Sequence, residues 1–237
     1  MKPLRVAWGI LAAFTVIRLV VAATTGIVED EAYYWTWSQR LAAGYYDHPP
    51  GIAWAIALSA RLLGATSLGV RAGPILLGSL GVAALARYAK DPVLFVLLVG
   101  SIPLFTLGGV LATPDAPMLA GWALALSGAL GNRWWIAGLG AGIAGLSKYT
   151  GWGLWPLLFL AAPGRWRDMI PGFLLTVVVL APNLLWNAGH DWVSVRFQLN
   201  HGLGGEGATS HAAPGPLGAL ELLGAQVGLA EIGRAHV

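Results

Sequence analysis

The chain has 237 residues, 57% of them hydrophobic and 11% charged, with a formal charge of +3 and a mean hydropathy of +0.67. Soluble domains carry about 25% charged residues, so this chain has too little polar surface for a soluble globule and reads as an integral membrane protein. Its charges are dispersed and it has no cysteine, which excludes a nucleic-acid partner, disulfides and thiolate metal sites.

A bilayer-crossing helix needs roughly 20 mostly apolar residues. Residues 4–23 form the first such run and read as a retained anchor, since no clear small-residue cleavage site follows. The polar segment 26–51, "GIVEDEAYYWTWSQRLAAGYYDHPPG", comes next. Residues 52–63 are too few to span and are expected to lie at the interface or against the protein. Runs 70–89, 93–112 and 116–130 are expected to cross. Residues 134–162 are too many for one crossing and are interrupted by "SKYTG", which predicts two short helices in a hairpin with Lys148 near its apex. Residues 169–188 cross again and 217–230 begin another run. The sum is an all-α bundle of about seven spans and an unfinished one, because lipid offers no partner to an open strand edge.

Lys2, Arg5, Arg87, Lys90, Arg133, Arg165 and Arg167 fall in short turns on one side, which the positive-inside rule makes cytoplasmic. Segments 26–51 and 190–216 and the "TPDAP" turn then face outward, and function is expected there. "GLGAGIAG" sets Gly138, Gly142 and Gly145 near one helical face, as close helix packing requires. The unfinished run predicts that 1–230 is the first part of a larger membrane domain. The closing "EIGRAHV", 231–237, matches an in-frame translation of a sequencing adapter and is expected to be non-native.

Several outward residues have both plain and chemical readings. Asp30 and Asp115 stand where a helix cap would, yet Glu29, Asp30 and Glu31 together repel one another without a cationic partner. Tyr33, Tyr34, Trp35, Trp37, Tyr45 and Tyr46 read first as an interfacial belt and second as a sugar platform. Pro49 and Pro50 stiffen the turn that holds Asp47 and His48. A lysine in an apolar hairpin, as Lys148 is, faces a polar cavity or an anion. Arg196 and His201 close the polar segment "HDWVSVRFQLNHG".

The order of these motifs, a DE pair after the first span, then "YYDHPP", "TPDAP", "LSKYTG" and "PNLLWN..HDWVSVRFQLNHG", resembles the polytopic GT-C glycosyltransferases. The nearest resemblance is to protein O-mannosyltransferases and lipid A aminoarabinose transferases, over residues 4–228. It implies a multi-pass protein of the bacterial inner membrane, acting in the cell envelope from its periplasmic or exterior face. It further implies transfer of a hexosyl or pentosyl group, with inversion, from a polyprenyl-phosphate donor to a lipid, glycan or protein acceptor. Asp30 matches the essential acidic residue, with Glu31 beside it and Asp115 as a third catalytic candidate. Asp47, His48, Lys148, Tyr149, Arg196 and His201 are the substrate-binding candidates. His48 stands where aminoarabinose transferases have lysine, which opens the phosphate-binding role to Lys148 or Arg196. The resemblance fixes no cofactor, and a divalent ion near Asp47 is left open. The competing readings are a secondary transporter, disfavoured because Arg18 and Lys148 are the only mid-span ionisable candidates and no repeat is evident, and a non-catalytic lipid-binding protein of the same fold.

Overall fold

The computed structural model describes residues 2–202, and the run 217–230 and the tail 231–237 lie outside them. The described residues form helices, with short 3₁₀ turns and no strand among them. Two compact units divide the chain, Met1–Val195 and Arg196–Val237. Of the second, only the end of one helix is described.

The helices are α1 (Lys2–Thr24), α2 (Glu29–Ser38), α3 (Gly51–Leu63), α4 (Ser67–Ala86), α5 (Pro92–Ser101), α6 (Pro103–Leu107), α7 (Asp115–Leu130), α8 (Trp134–Ser147), α9 (Leu154–Ala161), α10 (Trp166–Ala188) and α11 (Val193–Gly202). Among the described residues α1, α4 and the stretch Pro163–Ala188 are long and apolar enough to cross a bilayer, while α3, α5 and α8 are apolar but shorter. The interfacial helices expected in the first outward segment correspond to α2 and α3. The hairpin expected over 134–162 is present as α8, a 3₁₀ turn Tyr149–Gly153 and α9, with Lys148 at the break.

One expected crossing is not a single helix. The run 93–112 divides into α5 and α6 at Ile102, which is extended at φ −67° and ψ 121°. Pro103 causes the break: it has no amide hydrogen to continue the ladder, and its ring drives the preceding residue out of the helical region. The chain then runs without α-helix to Asp115.

Glycine sets the packing of α8. Gly138 faces the backbone of Gly172 on α10, and on another side Gly140 faces Gly121 and Ala125 on α7, so no Cβ fits at these contacts. This close approach is what the small-residue spacing predicts. Helices α1 and α4 are antiparallel, in a register marked by a 2.8 Å hydrogen bond between Thr15 Oγ1 and Ser79 Oγ.

Candidate active site

The polar segment 26–51 is built on its own aromatic core. Trp37 and Tyr45 stack with centroids 4.5 Å apart and planes 3° from parallel, and both are buried with Ile52, Ile56, Val70 and Ala112. The Tyr45 hydroxyl donates to the Trp37 and Arg40 carbonyls and accepts from the Ala42 amide. Burial pushes its phenol above the ordinary value. The interfacial-belt reading therefore fails for Trp37 and Tyr45, which fill the loop's interior, while Tyr33 and Tyr46 stay exposed. The segment docks on α10, where buried Asn183 donates to the Ala43 carbonyl at 2.8 Å. The Tyr45 carbonyl accepts a hydrogen bond from Ser194.

Glu31, expected beside Asp30 as a reacting carboxylate, is instead fully buried. Arg71 on α4 grips it with both arms, Nε to Oε1 at 2.7 Å and Nη2 to Oε2 at 2.6 Å. The amides of Ala112 and Val28 complete its shell at 2.8 and 2.9 Å. Burial, the largest single influence, would raise this carboxyl, but hydrogen bonds from Arg71, Ala112 and Val28 and the Arg71 charge together hold it below the usual carboxylate range. Arg71 also donates to the Thr25 carbonyl and hydroxyl and to the Gly26 carbonyl at 2.7 to 3.1 Å. One ion pair thus ties the end of α1, the start of α2, α4 and the strap before α7. It is the cationic partner that three adjacent carboxylates demand, and Arg71 is the residue that sequence reasoning left unassigned.

Asp30 points the other way. It is exposed in the first turn of α2, and the capping reading fails because the helix begins at Glu29 with Glu31 bonding the Val28 amide. No hydrogen bond reaches the Asp30 carboxylate from the described residues. One turn on, the Tyr34 phenol is pushed up first by burial and then by the fields of Asp47, Asp30 and Asp115. Aspartates from three separate turns thus push this one phenol in the same direction. Asp115 does not cap α7 either. It accepts a 2.8 Å hydrogen bond from Lys148 Nζ, and both side chains are partly exposed.

The "SKYTG" turn lies along α7: Lys148 meets Asp115, Thr150 meets Met118 and Trp122 donates to the Gly151 carbonyl. The "HPPG" turn joins it, since a Cβ at Gly51 would lie 2.6 Å from Ser147 Oγ. His48 Nδ1 is 3.6 Å from Asp47 Oδ2, and Tyr33 donates to Asp47 Oδ1 at 3.4 Å. The Tyr149 hydroxyl accepts from buried Asn187 at 3.1 Å. Asn183 and Asn187, one turn apart in an apolar helix, tie α10 to the segment 26–51 and to Tyr149, and their spacing in "PNLLWN" is the signal that could have singled them out. Among the described residues no group of three His, Asp or Glu side chains is arranged to hold a metal. Arg196 and His201 belong to the second unit, where His201 stacks on Phe197 at 5.8 Å.

Asp115 also borders a groove of about 600 Å³ whose walls are mostly apolar side chains of α4, α5 and α7, with Arg18 of α1 among them.

A sequence profile of the dolichyl-phosphate-mannose-protein mannosyltransferase family matches residues 47–186. The chain belongs to this family. The mannosyltransferase-family match takes in Asp47, His48, Asp115, Lys148, Tyr149 and Asn183 and begins after Asp30 and Glu31. Lipid A galacturonosyltransferase RgtD of Rhizobium johnstonii (strain DSM 114642 / LMG 32736 / 3841) is 34% identical, over 79% of this chain and 44% of RgtD. The crystal structure of ArnT from Cupriavidus metallidurans in the apo state matches with a TM-score of 0.62 at 19% identity, over 81% of this chain and 43% of that one. That likeness establishes a shared fold, the polytopic GT-C bundle. The chain spans less than half the length of either relative.

Proposed function

We propose that this chain carries the reaction centre of a membrane glycosyltransferase that moves a sugar from a polyprenyl-phosphate donor to an acceptor on the outer face of the membrane. The observation that carries the reading is Asp115, which is held by Lys148 at 2.8 Å and lines an apolar groove of about 600 Å³. An acid and a cation beside an apolar groove suit a substrate with a polar head and a long apolar tail. The family match and the 34% identity to RgtD support it.

In this reading Asp30, exposed and with no hydrogen bond from the described residues, is the general base. It takes the proton of the acceptor hydroxyl or amine as that atom attacks the anomeric carbon. The bond from that carbon to the phosphate oxygen breaks, its electron pair leaves with the phosphate, and attack from the opposite face inverts the centre. Lys148, oriented by Asp115, and His48, beside Asp47, stabilise charge on the departing head group. Tyr149 stands next to Lys148 for contact with the sugar, and Arg196 and His201 keep the substrate role that the motifs suggest. Glu31 serves as an anchor and takes no part in proton transfer.

The test is release of free polyprenyl phosphate from a labelled lipid-sugar donor by the full-length protein in detergent. The relation to RgtD makes a uronic-acid sugar and a lipid acceptor the first pair to try. Acceptor-dependent release is expected, and solute counterflow without donor cleavage would favour the transporter reading. Orientation has its own check. A cysteine in place of Tyr46, which is exposed in the first outward segment, should react with an impermeant thiol reagent added to intact cells, and one in place of exposed Asn132 should not.

A further inference from the structure

We propose that Arg18 is the cation that holds the phosphate of the lipid donor, a role for which His48, Lys148 and Arg196 are the residues the motifs suggest. The inference rests on the donor class proposed above. Arg18 lies within α1 and is 8% exposed. Among the described residues one carbonyl, that of Phe105, accepts from its guanidinium, at 3.1 Å. A guanidinium has five N–H donors, and this one borders the groove. A cation in an apolar wall is costly, and such a residue faces a polar cavity or an anion.

Among the described residues, Lys148 and His48 do not line the groove; Lys148 is bound to Asp115 at 2.8 Å, and both act on the head group from outside it. Among the described residues, Arg18 is the one basic residue in the groove's wall.

Position fits a phosphate with a single long tail. Thr15 pairs with Ser79, so Arg18, one turn nearer the outer end of the antiparallel α1, stands level with Ile75 of α4. It is six residues, about 9 Å along the helix, from the end of α1 at Thr24. From Ile75 the groove continues inward past Val82 and Leu85, and along α7 to Leu126. The head would sit between Arg18 and Asp115, with the tail along this inner wall. Lys148 offsets the charge of Asp115 on the same groove. The planar fork of arginine matches two phosphate oxygens, which a lysine in the same place cannot do.

The experiment measures binding of a polyprenyl monophosphate and of the same-length polyprenol to the purified full-length enzyme, with inorganic phosphate as a competitor. Wild type should prefer the phosphate. Arg18→Gln keeps an N–H for the Phe105 carbonyl and should lose about tenfold or more of that preference, the scale of one charge-assisted hydrogen bond, with polyprenol affinity unchanged. Its donor KM should rise and its kcat should fall as well, because charge on the phosphate grows as the bond to the sugar breaks. Arg18→Lys, the more conservative change for folding, should weaken the phosphate alone and by less. Preference retained in full by either variant overturns the role of Arg18 and leaves the transferase reading standing. A wild type that treats phosphate and alcohol alike, or that inorganic phosphate alone displaces, overturns the lipid-phosphate donor and this inference with it.

Discussion

Asp30→Asn should reduce sugar transfer by about 10²- to 10⁴-fold, the usual worth of a positioned general base, while leaving the protein folded and inserted. The asparagine keeps the shape of the side chain and loses its basicity. Folding should be indifferent, because Asp30 is exposed and neither caps α2 nor meets a described hydrogen-bond partner. The check is turnover of a labelled lipid-sugar donor by the full-length variant, read against its thermal unfolding in detergent. Wild-type turnover would remove Asp30 from the reaction. A variant that fails to accumulate would show that the acid is structural, as Glu31 is.

The second large effect concerns the neighbouring acid and has the opposite character. Arg71→Met strands a buried carboxylate and Glu31→Gln strands a buried guanidinium, and each should destabilise the fold by about 3 to 5 kcal/mol, the cost of breaking a buried pair from one side. Replacing both with apolar residues of similar volume should recover much of the loss, since the pair's own desolvation cost then disappears. Thermal unfolding of the two single variants and the double variant reads this directly, and additive losses would contradict it. The pair also predicts a pH response. Because the folded Glu31 carboxyl is held below its unfolded value, its contribution is complete above the ordinary carboxylate range. It is lost as pH falls through the depressed folded value. Acid should therefore loosen the strap at Ala112 and the start of α2 together, because both amides bind this carboxylate.

The two predictions divide a dipeptide that looks uniform in sequence. Asp30 and Glu31 differ by one position on a helix, about a 100° turn, which leaves one carboxylate exposed and turns the other into the packed face against α4. Both are acidic, both lie in the first turn, and only the burial of Arg71 decides between them.

What the sequence by itself determined is local. Hydropathy over 20-residue windows identified a membrane protein, and proline, glycine and charge punctuation located α1, α3, α4, α7, the α8–α9 hairpin and α10. The order of the polar motifs pointed to the family and to the outward turns. These properties are carried by contiguous residues, so a linear reading captures them. The tertiary structure alone decided the partnerships: Arg71 with Glu31 across 40 residues, the Ala112 amide with Glu31 across 81, and Lys148 with Asp115 across 33. It also turned Trp37 and Tyr45 inward as the core of the polar segment 26–51. Hydrogen-bond and ion-pair choices depend on which groups packing brings within about 3 Å. A carboxylate destined for a buried arginine has the same sequence signature as one destined for substrate.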